Sequence, residues 1–384
     1  MKRIYLDNAA TTRVDPEVIR AMLPYLEEDY GNSSSLHRLG RDADRALSRS
    51  RETISRRAGA RDHRLAFTSG GTESNNFAIK GIAFANRKKG KHIITSSIDH
   101  DCVLNSCRWL ETLGFRVTYL PVDREGFVSL NELERAITRE TTLVSIIHAN
   151  NEIGTLQDLR GIGEICHGRG VYFHTDACQS FTKTDINLEK QNIDLLTINA
   201  HKIYGPKGVG GLFVRQGIRI DPLVHGGGHE SGLRSGTVNV PGIVGFAKAV
   251  EIMKDRHIRH MARMRDMLIG GALDIRESWL NGPRNHGLCN IANFSFRHIE
   301  GESLIVHLDL KGIASSTGSA CSSKSLEPSH VLTAIGLKPE EAHGSIRLSL
   351  GRDNTREEME YTLEAMKEAV ETLRKISPFK GRGA

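Results

Sequence analysis

No uncharged apolar run in the chain approaches the roughly 18 residues that a membrane-spanning helix needs, so no such span is expected. No two cysteines form a CxxC pair: the six lie scattered at 102, 107, 166, 178, 289 and 321. That spacing argues against a disulfide framework, and free thiols in a reduced cytoplasm are the expected setting. Internal repeats and low-complexity stretches are absent as well. The opening residues Met1 to Asp7 read as a first strand with no hydrophobic signal segment before it. Excess charge is small, with 52 lysines and arginines against 46 aspartates and glutamates and a pI near 9.0. The basic residues cluster in Arg49–Arg64, Arg87–His92 and His257–Arg265, which read as solvated helix faces. No RNA-binding motif accompanies them, so neither a nucleic acid nor a membrane is an expected partner.

What is present is a chain of 384 residues, 39% hydrophobic and 26% charged, ordinary for a soluble enzyme. Its length predicts two lobes, because single cores stop growing near roughly 250–300 residues. Strands are predicted at Arg64–Thr68, Lys91–Ser96, Phe115–Val122, Thr142–Ala149, Gly170–Thr175, Ile193–Asn199 and Gly211–Val214. Several are continuous apolar runs, which suits a parallel sheet covered on both faces. Helices are predicted between them at Cys102–Leu113, Leu130–Ile137 and Asp158–Gly168. The alternation predicts a doubly wound α/β domain. An earlier helix starts at the cap Asp15 with Pro16 at its first position, is kinked by Pro24 and stops at Gly31. A second, smaller α+β lobe is expected from about residue 255. It holds a basic helix, a strand at Leu288–Phe296, a helix from Gly301, a small-residue segment at Gly312–Ser325 and a final helix. Thr355 and Glu358 form the capping box of that last helix. The division is therefore 15–255 for the large domain, with 1–14 and 256–384 forming the small one. Phe379–Ala384 reads as a loose tail.

The chemistry gathers at strand ends. Ile193–Asn199 runs into Lys202, and Gly170–Thr175 runs into Asp176. A lysine amine and an acid at the ends of two apolar strands are what pyridoxal 5'-phosphate (PLP) requires. The lysine forms the imine to the cofactor aldehyde, and the acid pairs with the pyridinium nitrogen. Thr72, His100 and Asn151 follow other strands, and ligands of open α/β sheets bind beyond the carboxyl ends of strands. The small residues Ser69–Ser74 open a helix whose free N–H groups suit a phosphate, with Gly71 and Thr72 as main donors. His100 can stack on the pyridine ring, and Asn151 and Gln179 can hydrogen-bond its phenolic oxygen. Lys207 is a rival to Lys202, but it sits among loop residues rather than near a strand end.

The motif blocks carry a resemblance across nearly the whole chain. They are Tyr5–Thr12, Ser69–Asn75, Asn150–Gly154, Ala200–Gly208, His225–Glu230 and Ser345–Arg352. In order and spacing the chain resembles the cysteine desulfurases of the NifS/IscS type, within the class V aminotransferase group of PLP enzymes. The resemblance implies the PLP-dependent transferase fold type I and a cytoplasmic homodimer. It makes Lys202 the imine lysine and proton shuttle, Asp176 the partner of the ring nitrogen, His100 the stacking ring and Gln179 the partner of the phenolic oxygen. Gly71, Thr72 and His201 would hold the phosphate, and Thr237 would reach the neighbouring subunit's phosphate. Arg347 would clamp the substrate carboxylate with its planar fork of donors, with Asn151 beside it.

A small, polar segment, Ser315–Pro328, surrounds Cys321. In the family this loop (312–328) carries the nucleophile, and Lys324 would favour its thiolate. The implied substrate is L-cysteine, the products alanine and a persulfide on Cys321, and the sulfur acceptor a protein such as an iron–sulfur scaffold. Another class V activity, selenocysteine lyase or aminotransferase, is the competing reading. A non-catalytic sulfur scaffold would need a missing imine lysine or a cysteine cluster. Two positions depart from the family pattern: Ser33 where proline is common, and Asn199 where serine is common. The other cysteines read as packing, with Cys102 and Cys107 on one helix, Cys166 in a helix, Cys178 a buried filler and Cys289 in a strand. No metal site is expected.

Overall fold

The computed structural model describes residues 3–317 and 328–377. Its strands in chain order are β1 (Ile4–Tyr5), β2 (His63–Thr68), β3 (His92–Ser96), β4 (Arg116–Leu120), β5 (Thr141–Ser145) and β6 (Tyr172–Asp176). They continue with β7 (Leu195–Asn199), β8 (Gly210–Arg215), β9 (Ser278–Asn281), β10 (Ile291–Phe296), β11 (Ile313–Ala314) and β12 (Ser345–Ser349). Seven form one sheet in the order β2-β8-β7-β6-β5-β3-β4. All neighbours in it are parallel except β8, which runs against both β2 and β7. Every residue of β3, β5 and β7 is buried, because helices cover both faces and leave no side for alternation to mark.

A three-stranded antiparallel sheet, β12-β10-β9, and the parallel pair β1-β11 lie apart from the large sheet. Ile4 and Leu6 pack in a core with Leu268, Phe294, Leu308, Ile346 and Met366. The extreme N-terminal strand thus joins elements from the last third of the chain.

Side chains set the helix starts. Asp158 accepts from the N–H groups of Arg160 and Gly161 at the head of Leu159–Arg169. Gly170 closes that helix at φ 64°, a left-handed turn that only glycine adopts readily. Thr355 and Glu358 make the expected capping box before Arg356–Ile376.

Some sequence expectations shift. The helix after Asp15 splits into Pro16–Met22 and Pro24–Glu27 and ends before Gly31. Pro24 brings no N–H, so the hydrogen-bond ladder is interrupted there, while Leu23 between the two helices keeps helical dihedrals, φ −51° and ψ −47°. Gly31 serves close approach instead, because a Cβ there would lie 2.5 Å from the backbone carbonyl of Leu39. Cys289 falls in the turn before β10 rather than in the strand. The helices Arg38–Arg57 and Val240–Ile252 and the strand β9 add to the predicted set. The tail Phe379–Ala384 lies outside the described residues.

Candidate active site

Lys202 lies three residues past the end of β7, after Ala200 and His201. Its amine donates to the carbonyl of Ala10 at 2.9 Å and to the carbonyl of Ala9. Both acceptors belong to a tight turn after β1, in which the N–H of Ala10 donates to the carbonyl of Asp7 at 3.1 Å. Burial, helped by Arg347 and Lys183, pushes the Lys202 amine down to about 8. Roughly a tenth of it is then neutral at pH 7, against less than a thousandth of an ordinary lysine. His201 is fixed to the same turn. Its carbonyl accepts from Thr12 N–H and Oγ1, both at 2.9 Å, and its Nδ1 lies 3.2 Å from Thr11 Oγ1. Burial and the neighbouring lysines lower its imidazole to about 4, so the ring is neutral at pH 7. The rival Lys207 is exposed.

Asp176 is the last residue of β6 and is buried. One carboxylate oxygen accepts from Asn75 Nδ2 at 2.6 Å, the other from the N–H of Cys178 at 2.8 Å. Gln179 is buried too, and its Nε2 donates to the Ala9 carbonyl at 2.9 Å, so Gln179 and Lys202 share one acceptor. The Oε1 of Gln179, the Oδ1 of Asn75 and the Oδ1 of Asn199 are buried with no hydrogen-bond partner among the described residues. His100 lies four residues past β3 and caps the helix Asp101–Thr112. Its Nδ1 accepts from the N–H of Cys102 at 3.2 Å, which assigns its proton to Nε2.

Gly71 and the exposed Thr72 open the helix Gly71–Ala85. A Cβ on Gly71 would lie 2.5 Å from Cys178 Sγ and 3.5 Å from Asn199 Nδ2. Cys178 is half-buried, not fully enclosed. Burial and Asp176 hold its thiol protonated, well above the ordinary range. Asn199, one of the two departures from the family pattern, therefore stands beside Gly71.

Arg347 lies in β12, 2% exposed. Its Nη1 donates to the carbonyl of Asn151 and its Nη2 to Asp7 Oδ1, each at 2.8 Å. The backbone of Arg347 also pairs with that of Ser316, just before residue 318. On the far side of the undescribed segment, Ser329 donates to the buried Glu152 at 2.6 Å, and His330 Nε2 lies 3.0 Å from the carbonyl of Asp99. Thr237 is exposed and forms no hydrogen bond with the other candidates among the described residues. Arg234, close to it in sequence, binds Glu73 at 2.8 Å, tying that segment to the helix that Gly71 opens. Ser33 lies in a turn that Asn32 holds by accepting from Ser34 N–H at 2.9 Å. Cys321 and Lys324 lie outside the described residues.

The fold thus brings Lys202, Gln179, His201 and Arg347 together around the turn Asp7–Thr12. Sequence reasoning had that block only as part of the resemblance. Carbonyls carry no residue-type signal, so Ala9 and Ala10 gave none, while Asp7 and Asn75 were visible as polar residues within matched blocks. Among the described residues no group of His, Cys, Asp and Glu is placed to hold a metal, and no helix is long and apolar enough to cross a membrane.

Comparison with known proteins agrees on one family. The model of "Aminotransferase class-V" matches residues 4–362. The chain is 51% identical to the cysteine desulfurase IscS of Dictyoglomus turgidum, covering 99% of this chain and 98% of that one. It is 53% identical to the IscS of Methanosarcina thermophila, covering 98% and 94%. A solved "NifS-like protein" superposes with a TM-score of 0.90 at 39% identity, over 97% of this chain and all of that one. Another solved structure, "SspA in complex with cysteine", does so with a TM-score of 0.83 at 39% identity, over 92% and 100%. With a family model spanning nearly its whole length and relatives at half identity, the chain belongs to the class V aminotransferase family of PLP-dependent enzymes, among its cysteine desulfurases of the NifS/IscS type.

Proposed function

We propose that this cysteine desulfurase holds PLP on Lys202, takes sulfur from L-cysteine onto Cys321 and releases L-alanine. The observation that carries the reading is the Lys202 amine. It is seated on the Ala9 and Ala10 carbonyls, shares Ala9 with Gln179, and is joined through the Asp7–Thr11 turn to Arg347.

The residues present fit the cofactor. Asp176 would face its ring nitrogen, held in place by Asn75 and the Cys178 N–H. Gln179 would meet the phenolic oxygen, and His100, fixed through Nδ1, would lie on the ring face. Gly71 lets Cys178 Sγ approach where a Cβ would otherwise lie, and its N–H, with Thr72, His201 and Asn199, would serve the phosphate. Neutral His201 would act there as a hydrogen-bond partner rather than as a cation. When bound, PLP supplies an aldehyde for an amine and a ring that withdraws electrons from the substrate α carbon.

The chain's own groups do the rest. Arg347 binds the L-cysteine carboxylate with Asn151 beside it, fixing which face of the α carbon Lys202 meets. Lys202, lowered to about 8, takes the α proton as a neutral amine and returns a proton to the departing carbon skeleton. The Cys321 thiolate attacks the substrate sulfur. A sulfur–sulfur bond forms as the carbon–sulfur bond breaks, and its electron pair stays with the carbon that leaves as alanine. The persulfide on Cys321 then passes its outer sulfur to an acceptor protein such as an iron–sulfur scaffold.

The same reading divides the chain at 15–255 and 1–14 with 256–384, supported by the core that Ile4 and Leu6 share with the later elements. It places the enzyme in the cytoplasm as a homodimer, with Thr237 directed to the partner's phosphate. Incubation with L-cysteine and a reductant should yield alanine and sulfide in equal amounts. Pyruvate in place of alanine, or alanine without sulfide, would contradict the proposal.

Gly71 supplies a separate check. Gly71→Ala should weaken PLP binding by on the order of tenfold, about 1.4 kcal/mol, because the added methyl must displace Cys178. Absorbance titration of the apoprotein with PLP reads this directly. Unchanged affinity would remove Gly71 from the phosphate cradle.

A further inference from the structure

Lys183 is a buried cation that the reaction above leaves unused. It is 5% exposed, and among the described residues no carboxylate lies within ion-pair distance of its amine. Its Nζ donates to the carbonyl of Gln179 at 3.0 Å. Gln179 in turn donates from Nε2 to the Ala9 carbonyl, which also accepts from Lys202 Nζ. A buried and a half-buried amine are therefore separated by one glutamine and one shared carbonyl. Thr182, just before Lys183, is held at φ 68°, a left-handed conformation that a β-branched residue rarely adopts, and its Oγ1 is buried without a partner. The backbone is turned at a cost where the lysine enters the interior.

We propose that Lys183 is a positioning charge of the active site: it touches neither cofactor nor substrate, but its buried ammonium sets the proton affinity of the Lys202 nitrogen and anchors Gln179. The inference rests on Lys202 being the residue that takes PLP. Other groups face Lys202 as well: Arg347 acts in the same direction as Lys183, Asp7 opposes it, and the Cys178 thiol, held protonated, is neutral at pH 7. His201 feels Lys183, Lys202 and Lys207. Cys289 faces Lys183, its thiol raised by burial and so mainly neutral at pH 7. Burial lowers Lys183 itself to about 8, so it carries its charge through neutral pH. A fixed cation disfavours a second one nearby, and in this poorly solvated setting the penalty reaches one pH unit at several ångströms.

The test is a pH titration of the visible absorption of the PLP-loaded enzyme, which reports protonation of the nitrogen joining Lys202 to the cofactor. Lys183→Met should move the midpoint up by about one unit, since removing a neighbouring cation makes that nitrogen easier to protonate. Lys183→Gln keeps a donor for the Gln179 carbonyl and removes only the charge, so it should move in the same direction. It carries the test if the methionine variant does not fold. Lys183→Arg keeps the charge at every pH of the titration, so its midpoint should not rise above the parental one. A parental midpoint in folded Lys183→Gln would overturn the inference. Borohydride reduction followed by peptide mapping separates this from failure of the underlying reading. Cofactor fixed on Lys202 with an unmoved midpoint refutes the role of Lys183 alone, whereas cofactor fixed elsewhere refutes the assignment of Lys202.

Discussion

Lys202→Ala is expected to lower sulfide release from L-cysteine by on the order of a thousandfold or more. The change removes both the amine that would hold PLP and the base that would move the substrate's α proton. The structure shows why no neighbour replaces it. Lys207 is exposed, and Lys183 is committed to the Gln179 carbonyl. Arginine provides the sharper control. Lys202→Arg keeps a cation and donors for the Ala9 and Ala10 carbonyls, yet a guanidinium stays charged where the lysine is lowered to about 8. It should therefore be about as inactive as the alanine variant while melting closer to the parent. Sulfide assays, borohydride trapping and thermal melting together make the measurement. Substantial activity in Lys202→Arg would show that a neutral amine at this position is not required. The parent's rate should climb as pH rises from 7 through 8, where the amine loses its proton.

Cys321→Ser should abolish sulfide release to a similar degree and leave the earlier steps intact. A serine hydroxyl is nearly isosteric with the thiol but is neither ionised near neutral pH nor able to form the sulfur–sulfur bond. L-cysteine should still change the visible spectrum of the loaded enzyme, because Lys202, Asp176 and Arg347 are untouched. Lys202→Ala should lack the productive spectral change, so the two variants separate cofactor chemistry from sulfur transfer. None of the other cysteines is suited to substitute. Burial holds Cys102 up at about 12 and keeps Cys107 and Cys166 protonated, and Cys178 is raised by burial together with Asp176. Full sulfide release from Cys321→Ser would end the nucleophile assignment.

Much of this was legible before the fold was seen. The buried strand β7 announced itself as an apolar run, and the ends of β3, β5, β6 and β7 pointed to His100, Asn151, Asp176 and Lys202. The spacing was looser than the sequence suggested. Only Asp176 sits on its strand, while His100 and Thr72 come four residues beyond theirs, after turns whose geometry no periodicity encodes. The contribution of the N-terminal turn was hidden for a different reason. Ala9 and Ala10 act through backbone carbonyls, so their side chains carry no sign of it. Asp7 and Asn75 act through long-range partners, Arg347 and Asp176, which lie 340 and 101 residues away in sequence. Asn199 looked like a departure from the family pattern, and only the approach of Gly71 gives it a place. Gly31 was read as a helix stop because glycine often is one, whereas contact with the Leu39 backbone requires it.

The central claim is that sulfur leaves L-cysteine at a site built on Lys202 and arrives on Cys321. The most direct measurement is mass spectrometry of peptides from the loaded enzyme after one equivalent of L-cysteine, with no reductant present. The account predicts one added sulfur atom on the peptide containing Cys321, alanine released in equal amount, and no added sulfur in Cys321→Ser. Added sulfur on the peptide of Cys102 or Cys178, or alanine and free sulfide formed with no sulfur on Cys321, would contradict it.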